Sequence, residues 1–331
     1  MQKKYCVGII GLGVGLKHYE AFEKIKNIRV TALCDFDKKE IKKIKKKKTQ
    51  KIYKSAKELI ESNDVDIVSI ASYDSFHFEQ IIHCIKFKKH IFVEKPICLT
   101  LSELKKIKKL LDKNPEIYFG SNMNLRTSKS FIDLKKRIKN DDVYFIEADY
   151  NSGRIHKIIN GWRTFENYHS IILSSAIHVI DLICWLVGSF PESVYALSNK
   201  IVTRNTKFKY DDFSVALLKF KNGLICKVSA NIGCIYPHFH KISLYTKTFT
   251  YENTIDGPYF IYKDGNKLKK VNQKYNYKNR QRDLIISEYI SRILNKDKKN
   301  NKKFIFNIFK LMEVCFSIIN STKTKKRILL S

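Results

Sequence analysis

The sequence predicts an α/β protein: an N-terminal Rossmann unit with a doubly wound parallel sheet, followed by an α+β domain with a mainly antiparallel sheet. Three observations lead there. Short β-rich runs alternate with helical patterns up to about residue 120, a Gly-rich segment joins the first strand to the first helix, and later strands alternate around tight-turn residues. At 331 residues and 44% hydrophobic content the chain exceeds the usual size of one core, so we divide it into 1–122 and 123–331.

The first strands read as Tyr5–Ile10, Ile28–Cys34, Val65–Ala71, His90–Val93 and Glu116–Gly120. Val65 to Ala71 has the composition of a strand covered on both faces. Leu101–Leu111 repeats its apolar residues at helical spacing behind Thr100, with Ser102 as a second candidate cap. A helix at 128–139 leads into a strand at Val143–Tyr150, then a long loop carries Gly161-Trp162-Arg163 to an apolar helix near 171–187. Asp212–Lys221 and Leu224–Ile232 alternate around Asn222-Gly223, a hairpin signal, and Asp264-Gly265 marks a second turn. Helical patterns at Arg282–Leu294 and Phe304–Asn320, and a short strand at Ile328–Leu330, close the chain.

A formal charge of +31 raises nucleic acid or an anionic membrane as partner. The lysines are spread along the whole chain, however. The runs at 41–51 and 296–303 lack the interleaved aromatics of single-strand binders, so neither specific nucleic-acid binding nor a membrane role is expected. The most apolar segment, Ile171 to Val187, contains His178 and Asp181, and the N-terminal residues carry no signal-peptide core, so a soluble, cytoplasmic protein is expected. Eight cysteines without Cys-x-x-Cys spacing read as reduced and structural. No metal is expected; only His238-x-His240 near Cys234 approaches ligand spacing.

Gly8 to His18 places Gly11, Gly13 and Gly15, with Val14 between the last two, where a strand turns into a helix and a pyrophosphate can approach backbone N–H groups. Asp35, at the end of the next strand, supplies an acceptor for a ribose 2′-hydroxyl. That predicts NAD, with NADP left open because Lys38 and Lys39 could neutralise a 2′-phosphate. Helix capping is the other reading of Asp35, although Asp37 could cap equally well. Ser72, Tyr73 and His77 belong to a loop at the ligand edge of the sheet, where Ser75 could alternatively cap a helix. Lys95 follows the apolar run at 90–93, and Pro96 keeps Glu94-Lys95 extended, so the lysine is delivered to the same edge as a candidate for chemistry. An exposed loop lysine is the plainer alternative.

Taken together, the glycine turn, Cys34-Asp35, Ser72 to His77, Glu94-Lys95-Pro96 with Thr100, Gly120-Ser121-Asn122, Gly161-Trp162-Arg163 and Ala176 to Asp181 resemble the glucose–fructose oxidoreductase, inositol dehydrogenase and rhizopine catabolism family, Gfo/Idh/MocA. The resemblance covers nearly the whole chain. It implies NAD- or NADP-dependent hydride transfer at a secondary alcohol of a sugar, cyclitol or nucleotide sugar, with Lys95 and His178 flanking the reacting hydroxyl. Glu94 would orient Lys95 or, like Asn122, contact the cofactor. His178 alternatively reads as a core histidine satisfied by Asp181, one helical turn on.

Candidate substrate contacts are Arg126, Arg154, His156, Trp162, Arg163, Tyr168, Ser174, His178 and Asp181. The arginines and Trp162 favour a nucleotide sugar or acidic sugar. Many dehydrogenases of the resembled family carry an aspartate four residues before the histidine; this chain has Ser174, and Ile171-Ile172-Leu173 replace the usual glycines. Two further functions therefore stay open: a non-catalytic NAD-binding sensor or scaffold, and a glycosidase or epimerase with transient oxidation. A homo-oligomer, dimer or tetramer, through the C-terminal sheet is expected.

Overall fold

The computed structural model describes residues 4–42, 44, 50–138, 143–275 and 282–330. The chain forms two compact units: Met1–Asn122 with Arg282–Phe309, and Met123–Gln281 with Lys310–Ser331. The second unit, expected to run to residue 331, instead gives up Arg282–Phe309 to the first.

In the first unit β1 (Tyr5–Ile10), β2 (Ile28–Cys34), β3 (Lys51–Ile52), β4 (Ile67–Ile70), β5 (His90–Val93) and β6 (Phe119–Ser121) make one six-stranded sheet in the order β3-β2-β1-β4-β5-β6. All its pairings are parallel. Helices α1 (Gly15–Glu23), α2 (Lys38–Lys42), α3 (Ala56–Glu61), α4 (His77–Lys86) and α5 (Leu101–Lys113) form the crossovers. Val7, Ile9, Ile67 and Phe92 are fully buried, as strands covered on both faces require. Each such side chain contributes roughly 1.5–3 kcal/mol of burial. α5 starts where the sequence places it, because Thr100 and Glu103 form a reciprocal capping box. The order reverses at β1 and β4, so the loops leaving their C-terminal ends flank the crevice where sheets of this kind bind ligands.

The helix α9 (Arg282–Leu294) explains the domain correction. Its buried stripe of Ile285, Ile286, Tyr289, Ile290 and Ile293 packs into the same core as Phe22, Phe92 and Tyr118. Tyr289 lies 5.4 Å from the Phe92 ring and fills the space that a Cβ on Gly120 would occupy.

The second unit contains α6 (Lys129–Arg137), β7 (Val143–Asn151), α7 (His156–Ile159), α8 (Ile177–Val187), β8 (Ser193–Asn199), β9 (Phe213–Lys219), β10 (Ile225–Asn231), β11 (Phe239–Thr246), β12 (Phe249–Thr254), β13 (Gly257–Asp264), β14 (Lys267–Asn272) and β15 (Ile328–Leu329). Its sheet has nine strands in the order β14-β13-β12-β11-β7-β10-β9-β8-β15. β7 pairs parallel with β10 and every other pairing is antiparallel. The two predicted hairpins turn at Gly223 and Gly265, both at positive φ. Alternation puts Ile146, Ala148, Ala216, Leu218, Val228 and Leu244 on a buried face, whereas Tyr195, Leu197, Leu217 and Ile225 are exposed on the other.

The last helix, α10 (Lys298–Thr324), is longer than the pattern at 304–320 suggests. Among the described residues it alone is long and apolar enough, by length and composition, to cross a membrane, with an 18-residue window of mean hydropathy 1.4. Half of that window is buried, as in a core helix. Of the lysine run at 41–51, residues 43 and 45–49 lie outside the described residues, as does Lys139 at the end of the helix expected at 128–139.

Candidate functional site

The glycine turn is built by close backbone approach. Gly11 has φ +81°, and a Cβ there would lie 2.4 Å from the Ala71 carbonyl oxygen, which leaves room for glycine alone. Gly15 opens α1, and a Cβ on it would press on Ile9 and Ala71. It therefore does the helix-to-strand packing of the third fingerprint glycine one position early. Gly13 faces open space, Val14 is exposed, and the N-cap position has no side chain capping the helix. These features fit a pyrophosphate on the first-turn N–H groups.

Asp35 lies at this turn. Its Oδ2 accepts from the Leu12 N–H and its Oδ1 from the Asp37 N–H at 2.7 Å, which fixes the carboxylate to the glycine turn. The capping role falls instead to Asp37, whose Oδ1 accepts from the Lys39 N–H. The exposed ring of Phe36 meets Tyr73 edge-on at 5.4 Å, so two aromatics flank the ends of β2 and β4. The sequence reading took up Tyr73 and missed Phe36.

His77 requires a correction. It is fully buried, with Nδ1 2.7 Å from the Pro96 carbonyl oxygen and Nε2 3.1 Å from that of Ser72. Both ring nitrogens are committed to backbone, so His77 ties two crevice loops together and has no atom left for a nucleotide. Ser72 Oγ donates to Gln80 Oε1, and Ser75 caps nothing, because α4 begins at His77 behind Phe76 with no side-chain cap.

Glu94, at the end of β5, is the most heavily constrained residue of this edge. Its Oε1 accepts from His18 Nε2 at 3.0 Å and from Asn122 Nδ2 at 2.7 Å, and Oε2 accepts from the Lys95 N–H at 3.3 Å. His18 in turn places Nδ1 2.9 Å from Ser69 Oγ. A line of polar groups, Ser69–His18–Glu94–Asn122, thus joins β4, α1, β5 and the end of β6. The sequence reading counted Asn122 as a cofactor contact and gave His18 no role; the structure makes both of them supports of Glu94, and His18 is 3% exposed. Burial alone would raise the Glu94 carboxyl, but the hydrogen bond and charge of His18, the Asn122 hydrogen bond and the charge of Lys95 together bring it down to about 2. A carboxylate depressed in the folded state stabilises the fold above its unfolded value and loses that contribution as pH falls. We therefore expect acid titration from about pH 4.5 to 2 to remove on the order of 3 kcal/mol from the wild type, and much less from Glu94→Gln. Urea midpoints against pH check this, and identical slopes for the two proteins would contradict it.

In the second unit Arg126, on a 3-10 turn at Asn124–Thr127, forms a two-pronged ion pair with Asp181 of α8 through Nε and Nη2. Asp181 is 1% exposed. Burial raises its carboxyl and the guanidinium opposes that rise. Asp181 is thus taken up by Arg126, whose own side chain stays partly exposed. Asp181 therefore does not serve as the partner of a core His178.

Residues Ile172–Ala176 form a π-helical turn in which the Ile177 N–H reaches the Ile172 carbonyl. The Ser174 hydroxyl lies 3.2 Å from His169 Nε2 and 3.3 Å from Ser175 Oγ, largely buried. His178, half-buried on α8, stacks on Tyr150 with ring centroids 6.0 Å apart. The Arg163 guanidinium covers the Trp162 ring at 4.2 Å, Arg154 is half-buried, and His156 is exposed at the start of α7. A cavity of about 490 Å³ opens beside His169, walled by Tyr168, Ser170, Lys209, Tyr210 and Lys323 among others. The described cysteines are all free, and burial followed by the charge of Asp35 pushes the Cys34 thiol up to about 11, which keeps it inert.

Residues 5–121 match the model of the oxidoreductase family with an NAD-binding Rossmann fold, and residues 134–252 match the Gfo/Idh/MocA C-terminal domain. The chain is 26% identical to the myo-inositol 2-dehydrogenase of Thermotoga maritima over 250 residues, 72% of each protein. It is 23% identical to the 2,7-anhydro-N-acetylneuraminate hydratase of Escherichia coli over 246 residues, 72% of this chain and 65% of that protein. The fold is that of the scyllo-inositol dehydrogenase of Lactobacillus casei, solved with NAD(H) and scyllo-inositol, at a TM-score of 0.75 and 16% identity over 99% of each chain. With the glycine turn, the anchored Asp35 and both domain matches in place, the chain belongs to the Gfo/Idh/MocA family of oxidoreductases and carries that family's NAD-binding Rossmann domain.

Proposed function

We propose that this protein transfers a hydride between NAD and a secondary alcohol of a polyhydroxylated ring, a cyclitol or a sugar. The observation that carries this reading is the clamped Glu94, held by His18 and Asn122 directly before Lys95 at the ligand edge of an NAD-binding sheet. NAD, when bound, accepts the hydride as the alcohol is oxidised. Gly11, Gly13, Val14 and Gly15 hold its pyrophosphate, and Asp35 accepts from the ribose, its charge opposing a 2′-phosphate. Lys95, as ammonium, donates to the reacting oxygen and stabilises its alkoxide character. His178 takes the hydroxyl proton as base and returns it in the reverse direction.

The relatives named for myo-inositol make a cyclitol the first substrate to test. An acidic or nucleotide sugar is supported by Arg154 and by Arg163 over Trp162. A second reading, oxidation that is transient and leaves no net NADH, is favoured by the relative named as a hydratase, since hydration changes no overall oxidation state. We place the enzyme in the cytoplasm, where its free thiols stay reduced, as a homo-oligomer joined through the exposed Tyr195, Leu197, Leu217 and Ile225.

The test is incubation of purified protein with NAD and a panel of myo-inositol, scyllo-inositol, hexuronic acids and uridine diphosphate sugars. NADH absorbance and product NMR are followed together. Substrate conversion with NADH supports the dehydrogenase, and conversion without it the transient oxidation. Tight NAD binding with no compound altered would overturn both and leave a sensor.

A further inference from the structure

We infer that the cavity beside His169 is a second ligand site, separate from the surroundings of His178, and that it takes a phosphorylated sugar or polyol. Its walls come from the second unit alone: the ends of β8 and β9, the end of α10 with Lys325 beyond it, and the segments 168–172 and 209–211. Sheet register separates it from His178. Ser198 pairs with Ser214, Ser214 with Ala230, Ala230 with Tyr150 and Tyr150 with His240, so these residues form one row across the sheet. With neighbouring strands about 4.8 Å apart, Ser214 stands roughly 10 Å from Tyr150, the residue on which His178 stacks. Among the described residues, the lining includes none of Tyr150, His178 and His240.

The floor of the cavity accepts hydrogen bonds. On β8 and β9 the inward face is apolar at Val194, Ala196, Ala216 and Leu218, and it turns polar at Ser198 and Ser214, where the cavity begins. The Ser198 hydroxyl donates to Asp211 Oδ2 at 2.6 Å, that of Ser214 to the Leu197 carbonyl at 3.2 Å and that of Thr322 to the Ile319 carbonyl at 2.9 Å. Each hydroxyl proton is spent within the protein, so the oxygens and the Asp211 carboxylate are left to accept from ligand hydroxyls. Tyr168 and Tyr210 add rings to the wall, 6.3 Å apart, and the Tyr210 hydroxyl is tied to the Glu166 carbonyl at 2.7 Å. Braced rings of this kind offer a flat apolar face to the C–H side of a sugar.

The rim donates. Lys209, Lys323 and Lys325 are exposed there, and among the described residues none of them enters an ion pair. Asp211 is the one carboxylate of the lining, so three ammonium groups against it leave two positive charges over. A phosphate monoester carries about −1.5 to −2 at pH 7 and matches that excess, where a carboxylate would satisfy half of it. Lysines are abundant in this chain, but here they border a concave space of about 490 Å³, far larger than a phosphate group and of the size of small-molecule sites. Donors at the rim and acceptors on the floor together select a ligand with phosphate at one end and hydroxyls at the other.

Calorimetry at fixed ionic strength tests this, with glucose 6-phosphate, fructose 6-phosphate and myo-inositol 1-phosphate as probes and glucose, myo-inositol and inorganic phosphate as controls. At least one probe should bind the wild type roughly tenfold or more tightly than inorganic phosphate or its own unphosphorylated form, with the same affinity at saturating NAD and in His178→Gln. Lys323→Gln with Lys325→Gln should weaken that probe by about tenfold or more. Lys267→Gln with Lys269→Gln, which removes two exposed lysines from β14, should leave it unchanged. All four positions are exposed, so both double variants keep the fold. No probe bound, inorganic phosphate bound equally well, an equal loss in both lysine pairs, or displacement by NAD would overturn the site. Because the readout is binding alone, a protein that transfers no hydride would overturn the proposed function and leave this result standing.

Discussion

Lys95→Ala leaves the NAD dissociation constant nearly unchanged and lowers turnover by roughly 10²- to 10³-fold, the loss expected when a donor to the developing oxyanion is removed. The two effects separate because the clamp around Glu94 does not need the Lys95 side chain. His18 and Asn122 still hold the carboxylate, and the glycine turn and Asp35 are untouched. Since the lost interaction strengthens in the transition state, kcat and kcat/KM should fall together while KM stays close to its wild-type value. Calorimetric NAD titration and steady-state kinetics on the first active panel substrate measure both. Unchanged turnover would remove Lys95 from the mechanism; a matching loss of NAD affinity would make it a cofactor ligand.

Arg126→Met should destabilise the protein by about 3–5 kcal/mol, because it strands a carboxylate that is almost wholly buried. The pH dependence identifies the cause. Burial already raises the Asp181 carboxyl, and without the guanidinium the rise is larger. A carboxyl raised in the folded state costs stability at high pH and ceases to do so once pH falls below its unfolded value, so the penalty should be full at pH 8 and shrink towards pH 4. The double variant Arg126→Met with Asp181→Leu should recover most of the loss, since an apolar pair of similar volume replaces a buried ion pair at little cost. Denaturant unfolding at several pH values checks this. A penalty independent of pH, or a double variant no better than the single one, would show that Arg126 acts through packing.

What the sequence revealed follows from range. The strand alternation, the glycine turn, the Thr100 capping box and the Asn222-Gly223 hairpin depend on neighbouring residues, and periodicity or turn chemistry exposes them. The clamp on Glu94 joins residues 76 apart in sequence, and the Arg126–Asp181 pair joins residues 55 apart, so no local pattern announces either. His18 did leave one signal: a histidine inside an otherwise apolar and glycine-rich strand-to-helix turn, with a carboxylate at the end of a parallel strand to receive it. α9 was legible as a helix and not as part of the first unit, because its apolar stripe states only that it is buried, not against what.

The central claim is that Lys95 and His178 act on one hydroxyl beside the nicotinamide. A crystal structure of the protein with NAD and its polyol tests it most directly. The account predicts the reacting oxygen within hydrogen-bonding distance of both Lys95 Nζ and a ring nitrogen of His178, with the hydride-bearing carbon facing the nicotinamide. An oxygen that meets neither group, or a His178 ring turned to a different ligand, would contradict it.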